Sequence, residues 1–153
     1  MEYLIYFDVC CLNRPFDDQT QERVHQEAKA VRLIIDRCHS GNWQMLGSEA
    51  IDAELDRTPT GARKQQMETW VALAMTTVAI DEQIYSRAAE LFELGFKNYD
   101  ALHIACAEVG NADILLTTDD RMLRLAARLS SVLQVKVENP LRWLREVTND
   151  RRE

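Results

Sequence analysis

The chain has 153 residues, a length that fits one domain with a sizeable hydrophobic core. Apolar residues make up 46% of it, but no apolar run approaches the roughly 20 residues that a membrane-spanning helix requires. The net charge of −7, from 18 basic and 25 acidic residues, argues against a protein that coats long nucleic acid, although it leaves room for an enzyme that contacts a few phosphates.

The chain opens on a short strand that ends in an acid. Tyr3–Phe7 is apolar, β-branched and aromatic, has no helical period and is too short for a helix, which predicts a buried strand. Asp8 ends this strand, and Val9–Phe16 is predicted to be a loop. A carboxylate at the carboxyl end of a first strand lies where open α/β sheets place their ligand chemistry.

Strands and helices are predicted to alternate along the rest of the chain. Four more strands are predicted at Trp43–Leu46, Thr76–Ile80, Ile114–Thr117 and Gln134–Val137. Helices are predicted between the cap candidates Asp17–Thr20 and Ser40, over Glu49–Asp56 and Arg63–Ala74, between Asp81 and Gly95, and over Asn98–Gly110, Arg121–Leu129 and Pro140–Val147. This alternation predicts a three-layer α/β/α domain over residues 1–148, with a mostly parallel sheet of four to five strands, and a charged tail over 149–153.

The four cysteines and the N-terminus bear on the cellular environment. The cysteines, Cys10, Cys11, Cys38 and Cys106, contain no CxxC pair, so we expect buried thiols and no zinc site. The N-terminus lacks the charged start and long apolar stretch of a signal peptide, which predicts a cytoplasmic protein.

Acidic residues fall where such a sheet gathers its functional groups. They are Asp8 after the first strand, Glu49, Asp52 and Glu54 on the helix after the second, Asp100 at the start of the most apolar helix, and Asp119 and Asp120 after the fourth strand. Taken alone, Asp100 and Asp119 have a second interpretation as simple helix caps. Carboxylates that share one site repel unless a proton or a cation joins them, and their hard oxygens suit Mg²⁺ or Mn²⁺. One or two such ions can activate water against a phosphodiester.

Four segments of the chain resemble the PIN-domain ribonucleases, the fold of the VapC toxins of toxin–antitoxin pairs. They are YFDVCCLNRPFDD, SEAIDAEL, YDALHIACAEVGNADILLTTDD and VENPLRWL, and they span nearly the whole domain. On this resemblance the family's four catalytic and metal-binding acids fall on Asp8, Glu54, Asp100 and Asp119. The resemblance further implies a doubly wound parallel sheet, an RNA substrate cleaved with Mg²⁺ or Mn²⁺, frequent homodimers and, for a toxin, a cognate antitoxin.

Two of these ligands have an alternative nearby. Glu49 and Glu54 are five positions apart, so they point about 140° apart on a helix and do not face the same site. Glu54 is preferred because it matches the family's AEL-like segment, with Glu49 in reserve. Asp120 is the reserve for Asp119. Cys10 stands where many relatives have Ser or Thr, so a hydroxyl close to the metal is replaced by a thiol.

Basic residues and one histidine supply further candidates. Arg14 is either a phosphate contact or a surface residue in a turn. The arginine stripe, Arg121, Arg124 and Arg128, is either a solvated helix face or a surface for the RNA backbone. His103 lies one helical turn from Asp100, but its apolar neighbours favour a satisfied core histidine.

The leading hypothesis is a metal-dependent endoribonuclease whose four acids hold the ion that activates the attacking water. One rival is a catalytically inactive RNA-binding module of the same fold, and the four filled acidic positions weigh against it. The other is an aspartate-based phosphoryl-transfer domain. Phosphatases of that kind usually place a second Asp two residues after the first, and this chain has Cys10 there.

Overall fold

The computed structural model describes residues 3–152, with side chains up to residue 149. The strands are β1 (Leu4–Phe7), β2 (Gln44–Ser48), β3 (Thr76–Val78), β4 (Ile114–Leu116) and β5 (Lys136–Glu138). The helices are α1 (Val9–Asn13), α2 (Glu22–His39), α3 (Glu49–Asp56), α4 (Ala62–Val71), α5 (Glu82–Glu93), α6 (Asn98–Val109), α7 (Asp120–Arg128) and α8 (Pro140–Arg152). None of these helices is long and apolar enough to span a membrane.

The five strands form one sheet that is parallel throughout, in the order β3-β2-β1-β4-β5. β2 and β3 lie on one side of β1, and β4 and β5 lie on the other. Right-handed crossovers in the two halves then place helices on both faces of the sheet. The predicted α/β class with a five-stranded sheet is therefore confirmed. The strand order reverses at β1, so the crevice at its carboxyl end is the expected ligand site.

The core is centred on β1, β4 and α6. Ile5 pairs in register with Met45 on one side and Ile114 on the other, and all three side chains are buried. Helix α6 is buried nearly all round, as its apolar sequence predicts. The backbone N–H of Asp8 donates to the carbonyl oxygen of Leu116 at 3.1 Å, which fixes the end of β1 beside the end of β4.

The prediction of a loop over Val9–Phe16 is wrong, because this segment is helical. It forms α1 and then a single 3-10 turn over Arg14–Phe16. The side chain of Asp8 causes the difference, since its Oδ1 accepts a hydrogen bond from the Cys11 N–H at 2.8 Å and caps α1.

Other element ends also move. Helix α2 begins at Glu22 after Gln21, and the expected cap residue Asp18 instead accepts bonds from the N–H and hydroxyl of Thr20. The strand ends differ from prediction by one or two residues, and α4 ends at Val71. Helix α8 continues past Val147 to Arg152, so most of the predicted tail is helical, and Glu153 lies outside the described residues.

Candidate metal centre

Asp8 lies at the point where the strand order reverses, and its carboxylate is almost completely buried, with 3% of the residue exposed. Burial raises its pKa from 3.8 to about 7, and the negative charge of Asp100 adds to this effect. His103, the Thr117 hydroxyl and the Cys11 N–H partly oppose it. Within the described part of the chain Asp8 forms no ion pair, so no cationic side chain is bound to this buried acid.

Asp100 and Asp119 lie near Asp8 on two other elements. Asp100 is half-buried in the first turn of α6, and burial and then the charge of Asp119 raise its pKa. Asp119 caps α7, because its Oδ1 accepts from the backbone N–H groups of Arg121 and Met122 at 2.9 and 3.2 Å. Both cap bonds use Oδ1, which leaves Oδ2 of Asp119 as the oxygen that is free to bind a cation.

Glu54 reaches the same site from α3. Its Oε1 lies 2.7 Å from Nε2 of His103, and its charge contributes to the raised pKa of Asp100. Glu49 is exposed and accepts a hydrogen bond from the Ile80 N–H at 2.6 Å. The structure therefore brings Glu54, and not Glu49, together with Asp100.

The two remaining acidic candidates lie apart from this group. Asp120 forms two hydrogen bonds with the guanidinium of Arg23, which lower its pKa. Asp52 is exposed, and its charged neighbours are Asp56 and Glu49. Asp120 and Asp52 thus belong to other charge groups on the surface.

Asp8, Glu54, Asp100 and Asp119 form one electrostatic group, which we call the acid set. In the conformation seen, no three acidic, histidine or cysteine side chains among residues 3–149 converge closely enough to hold one ion. The chemistry of the donors nevertheless fits a hard divalent cation. All four candidate ligands are carboxylates, which are hard oxygen donors.

The expectation of buried thiols holds for Cys11 and Cys106 but is wrong for Cys10, which is exposed. Partial desolvation and then the charge of Asp8 raise the pKa of the Cys10 thiol to about 12, which keeps it neutral.

The arginine candidates divide into a paired residue and an open stripe. Arg14 lies 2.9 Å from the buried Glu27 and 3.2 Å from Asp17, so it is neither a free phosphate contact nor a simple surface residue. The arginine stripe lines an open groove of about 650 Å³ between the end of α5 and α7. Arg121 donates from Nη2 to the Gly95 carbonyl at 3.2 Å across this groove.

One buried residue of functional interest was not predicted, and a second has a partner that was not predicted. Glu27 was not singled out, although it occupies a position in the apolar stripe of α2, between Val24 and Val31, where an acid is unexpected. His103 is the satisfied core histidine that was predicted, yet one of its two partners is Glu54. No local pattern indicates that contact, because Glu54 and His103 lie on different helices.

Comparison with models of known protein families shows which family this chain belongs to. Residues 48–128, just over half of the chain, match the family model described as PIN domain. The chain belongs to the PIN domain family. PIN domains are generally nucleases that use divalent metal ions. The matched range contains three members of the acid set, and Asp8 precedes it.

Solved structures with the same fold extend this similarity to most of the chain. One is the crystal structure of VapBC2 from Rickettsia felis bound to a DNA fragment from their promoter, with a TM-score of 0.52 and 14% identity over 89% of this PIN domain chain and 98% of that chain. Another is VapBC-1 from nontypeable Haemophilus influenzae, with a TM-score of 0.51 and 14% identity over 92% and 98%. At this identity they show a shared fold. A search of curated proteins found no significant match.

Proposed function

We propose that this PIN domain is a metal-dependent endoribonuclease in which the acid set holds Mg²⁺ or Mn²⁺. The observation that carries the proposal is the buried Asp8, which is 3% exposed and has acidic neighbours and no ion-pair partner in the described part of the chain. A buried carboxylate is costly unless it is protonated or bound to a cation. Asp8 would lose its proton and become a ligand when a divalent ion supplies the missing positive charge.

Each member of the acid set would contribute a carboxylate held by a different element. Asp8 and Asp119 are fixed because each caps a helix, and Glu54 is held by His103. When bound, the ion would activate a water molecule and stabilise the leaving oxygen of the phosphodiester. No side chain is then required as a nucleophile.

The arginine stripe begins directly after Asp119 and Asp120, so it supplies positive charge beside the acid set. Arginine binds phosphate oxygens through its planar donors, and such contacts position a nucleic acid without reading its sequence. We propose that the arginine stripe binds the RNA backbone on one side of the cleaved bond.

We further propose that the chain is the toxin of a toxin–antitoxin pair, with a cognate antitoxin and a homodimeric form. The similarity to the two VapBC structures supports the antitoxin partner. An antitoxin would place an extended or helical segment over the acid set and present an arginine to the carboxylates. The cytoplasmic location expected from the sequence stays a prediction.

RNA cleavage by the purified protein tests the catalytic proposal. We expect end-labelled single-stranded RNAs to be cut with Mg²⁺ or Mn²⁺, to stay intact with EDTA, and to stay intact with Asp8→Asn and Asp100→Asn variants that fold normally. Unchanged cleavage by both variants would reject the acid set. RNA binding with no cleavage in either metal would favour the inactive binding module.

A further inference from the structure

A buried chain of hydrogen bonds ends on Glu54. The Ser48 Oγ and the Tyr6 hydroxyl lie 2.7 Å apart, the Tyr6 hydroxyl lies 2.6 Å from His103 Nδ1, and His103 Nε2 lies 2.7 Å from Glu54 Oε1. Ser48, Tyr6 and His103 are almost completely buried. These three residues belong to β2, β1 and α6, so three elements of the core converge on one carboxylate of α3.

The donors and acceptors of this chain can all be matched. Ser48 Oγ accepts from the Ile51 N–H at 3.0 Å and caps α3, the helix that carries Glu54. The Ser48 hydroxyl can then donate to Tyr6, and the Tyr6 hydroxyl to His103 Nδ1. With Nδ1 as acceptor, the proton of neutral histidine is on Nε2 and is donated to Glu54. Each group in the chain has a partner, which makes the arrangement specific.

We propose that His103 is a positioning residue that holds Glu54 in the orientation required for metal binding. This inference rests on the proposed function, because it assumes that Glu54 is a ligand. The Glu54 side chain is 31% exposed, and an unrestrained glutamate at such a position samples several rotamers. The bond to His103 engages Oε1 and leaves Oε2 available to an ion. Outer hydrogen-bond partners of this kind orient metal ligands.

His103 also packs against two aromatic rings, so its loss would disturb the core as well. Its ring is stacked on Tyr99 at 6.2 Å between centroids and is edge-on to Tyr6 at 5.5 Å. A test therefore needs two substitutions that remove the ring equally and differ only in the hydrogen bond they retain. The longer glutamine side chain can place its amide N–H near the Nε2 position, whereas the amide of asparagine reaches only the Nδ1 position.

Binding of Mn²⁺ alone to the full chain, measured from the electron paramagnetic resonance signal of the free ion, provides the readout. We expect His103→Ala and His103→Asn to weaken binding about 10- to 100-fold, and His103→Gln to restore affinity to within about threefold of the wild type. Thermal unfolding should show similar stability losses for the Asn and Gln variants. Equal Mn²⁺ affinities of these two variants would overturn the positioning role.

A double-mutant cycle separates an effect through Glu54 from a general one. In a Glu54→Gln background, His103→Asn should cause no further loss of Mn²⁺ affinity, because the residue that it positions is already altered. A full additional loss in that background would contradict the inference. If the wild type binds Mn²⁺ and Asp8→Asn does not, the metal site of the proposed function stands whatever His103 does. If the wild type binds no Mn²⁺, both proposals fail.

Discussion

Glu27 and Asp8 are both buried carboxylates, at 2% and 3% exposure, but their surroundings are opposite. Glu27 lies 2.9 Å from Arg14 Nε and 3.2 Å from Arg23 Nε, and it also accepts from Asn139 Nδ2. Asp8 is surrounded by a backbone N–H, a hydroxyl, acidic neighbours and the imidazole of His103, with which it forms no ion pair. The charge of Glu27 is compensated within the fold, and so it ties α2 to its neighbours. The charge of Asp8 is not compensated in this way, so this buried acid must either keep its proton or be neutralised by an external cation.

The same contrast separates two consecutive residues. Arg23 binds Glu27 and also Asp120, so Asp120 belongs with the compensated acids. Asp119 belongs with Asp8, because in the described part of the chain it caps a helix and forms no ion pair. Two neighbouring aspartates therefore have different expected roles, and substitution can distinguish them.

The largest expected difference is between Asp119→Asn and Asp120→Asn in RNA cleavage. Asp119→Asn keeps an oxygen for the helix cap but removes the negative charge of a proposed ligand. Loss of a hydrogen-bond partner of a metal ligand can reduce activity by about 100-fold. We expect Asp119→Asn to reduce cleavage by more than this. Asp120→Asn breaks only a half-exposed ion pair with Arg23, so its cleavage rate should stay close to that of the wild type. The reverse ranking would make Asp120 the ligand.

The pH dependence of stability in metal-free protein tests the uncompensated state of Asp8. Its pKa in the folded protein is about 7 against an ordinary 3.8, so between these pH values the folded state retains a proton that the unfolded state releases. The free energy of unfolding therefore falls as pH rises through this window. Each unit of difference between the two pKa values contributes about 1.4 kcal/mol, which gives a loss of up to about 4 kcal/mol.

Urea unfolding in EDTA at about pH 5 and about pH 8 measures this effect. The wild type should lose stability relative to Asp8→Asn as the pH rises, and saturating Mn²⁺ should reverse the loss at the higher pH. If the difference in unfolding free energy between the wild type and Asp8→Asn were the same at both pH values, the charge of Asp8 would be compensated within the fold.

A Glu27→Gln variant tests the other half of the comparison. Glutamine keeps the shape of the side chain but leaves Arg14 and Arg23 without their shared counter-charge, which should lower the free energy of unfolding by about 2 kcal/mol. Cleavage per folded molecule should be retained, as measured after correction for the folded fraction. A stable Glu27→Gln protein that has lost cleavage would place Glu27 in the site.

The smallest effect is expected from Glu49→Gln. The exposed Glu49 side chain accepts one hydrogen bond from the Ile80 N–H, and glutamine keeps a carbonyl oxygen to accept it. We expect a change in unfolding free energy below about 0.5 kcal/mol and no change in cleavage. If Glu49→Gln abolished cleavage and Glu54→Gln did not, Glu49 would be the second ligand.

The sequence predicts the elements whose signals are local. Helix α3 has the predicted bounds Glu49–Asp56, and the apolar runs of β1 and β4 are strands. The proximity of Asp8 and Asp119 also follows from the sequence, because parallel strands bring their carboxyl ends to one edge of the sheet.

What the sequence does not predict depends on contacts between distant segments. The Val9–Phe16 segment is helical because Asp8 caps its first helix. From the sequence, Asp8 is interpreted only as a metal ligand, and that role does not predict a helix. The Arg14–Glu27 pair and the bond from His103 to Glu54 join elements that only the tertiary fold brings together. Glu27 itself had a signal, an acid among the apolar positions of α2, and such residues merit a search for partners.

Calorimetric titration of Mn²⁺ into the wild type, Asp8→Asn and Glu27→Gln tests most directly whether uncompensated buried charge marks the metal centre. The wild type and Glu27→Gln should bind Mn²⁺ with similar affinity at neutral pH, and Asp8→Asn should lose binding while remaining folded. The claim would be contradicted if Asp8→Asn bound Mn²⁺ as tightly as the wild type. It would also be contradicted if both variants stayed folded and lost Mn²⁺ binding equally.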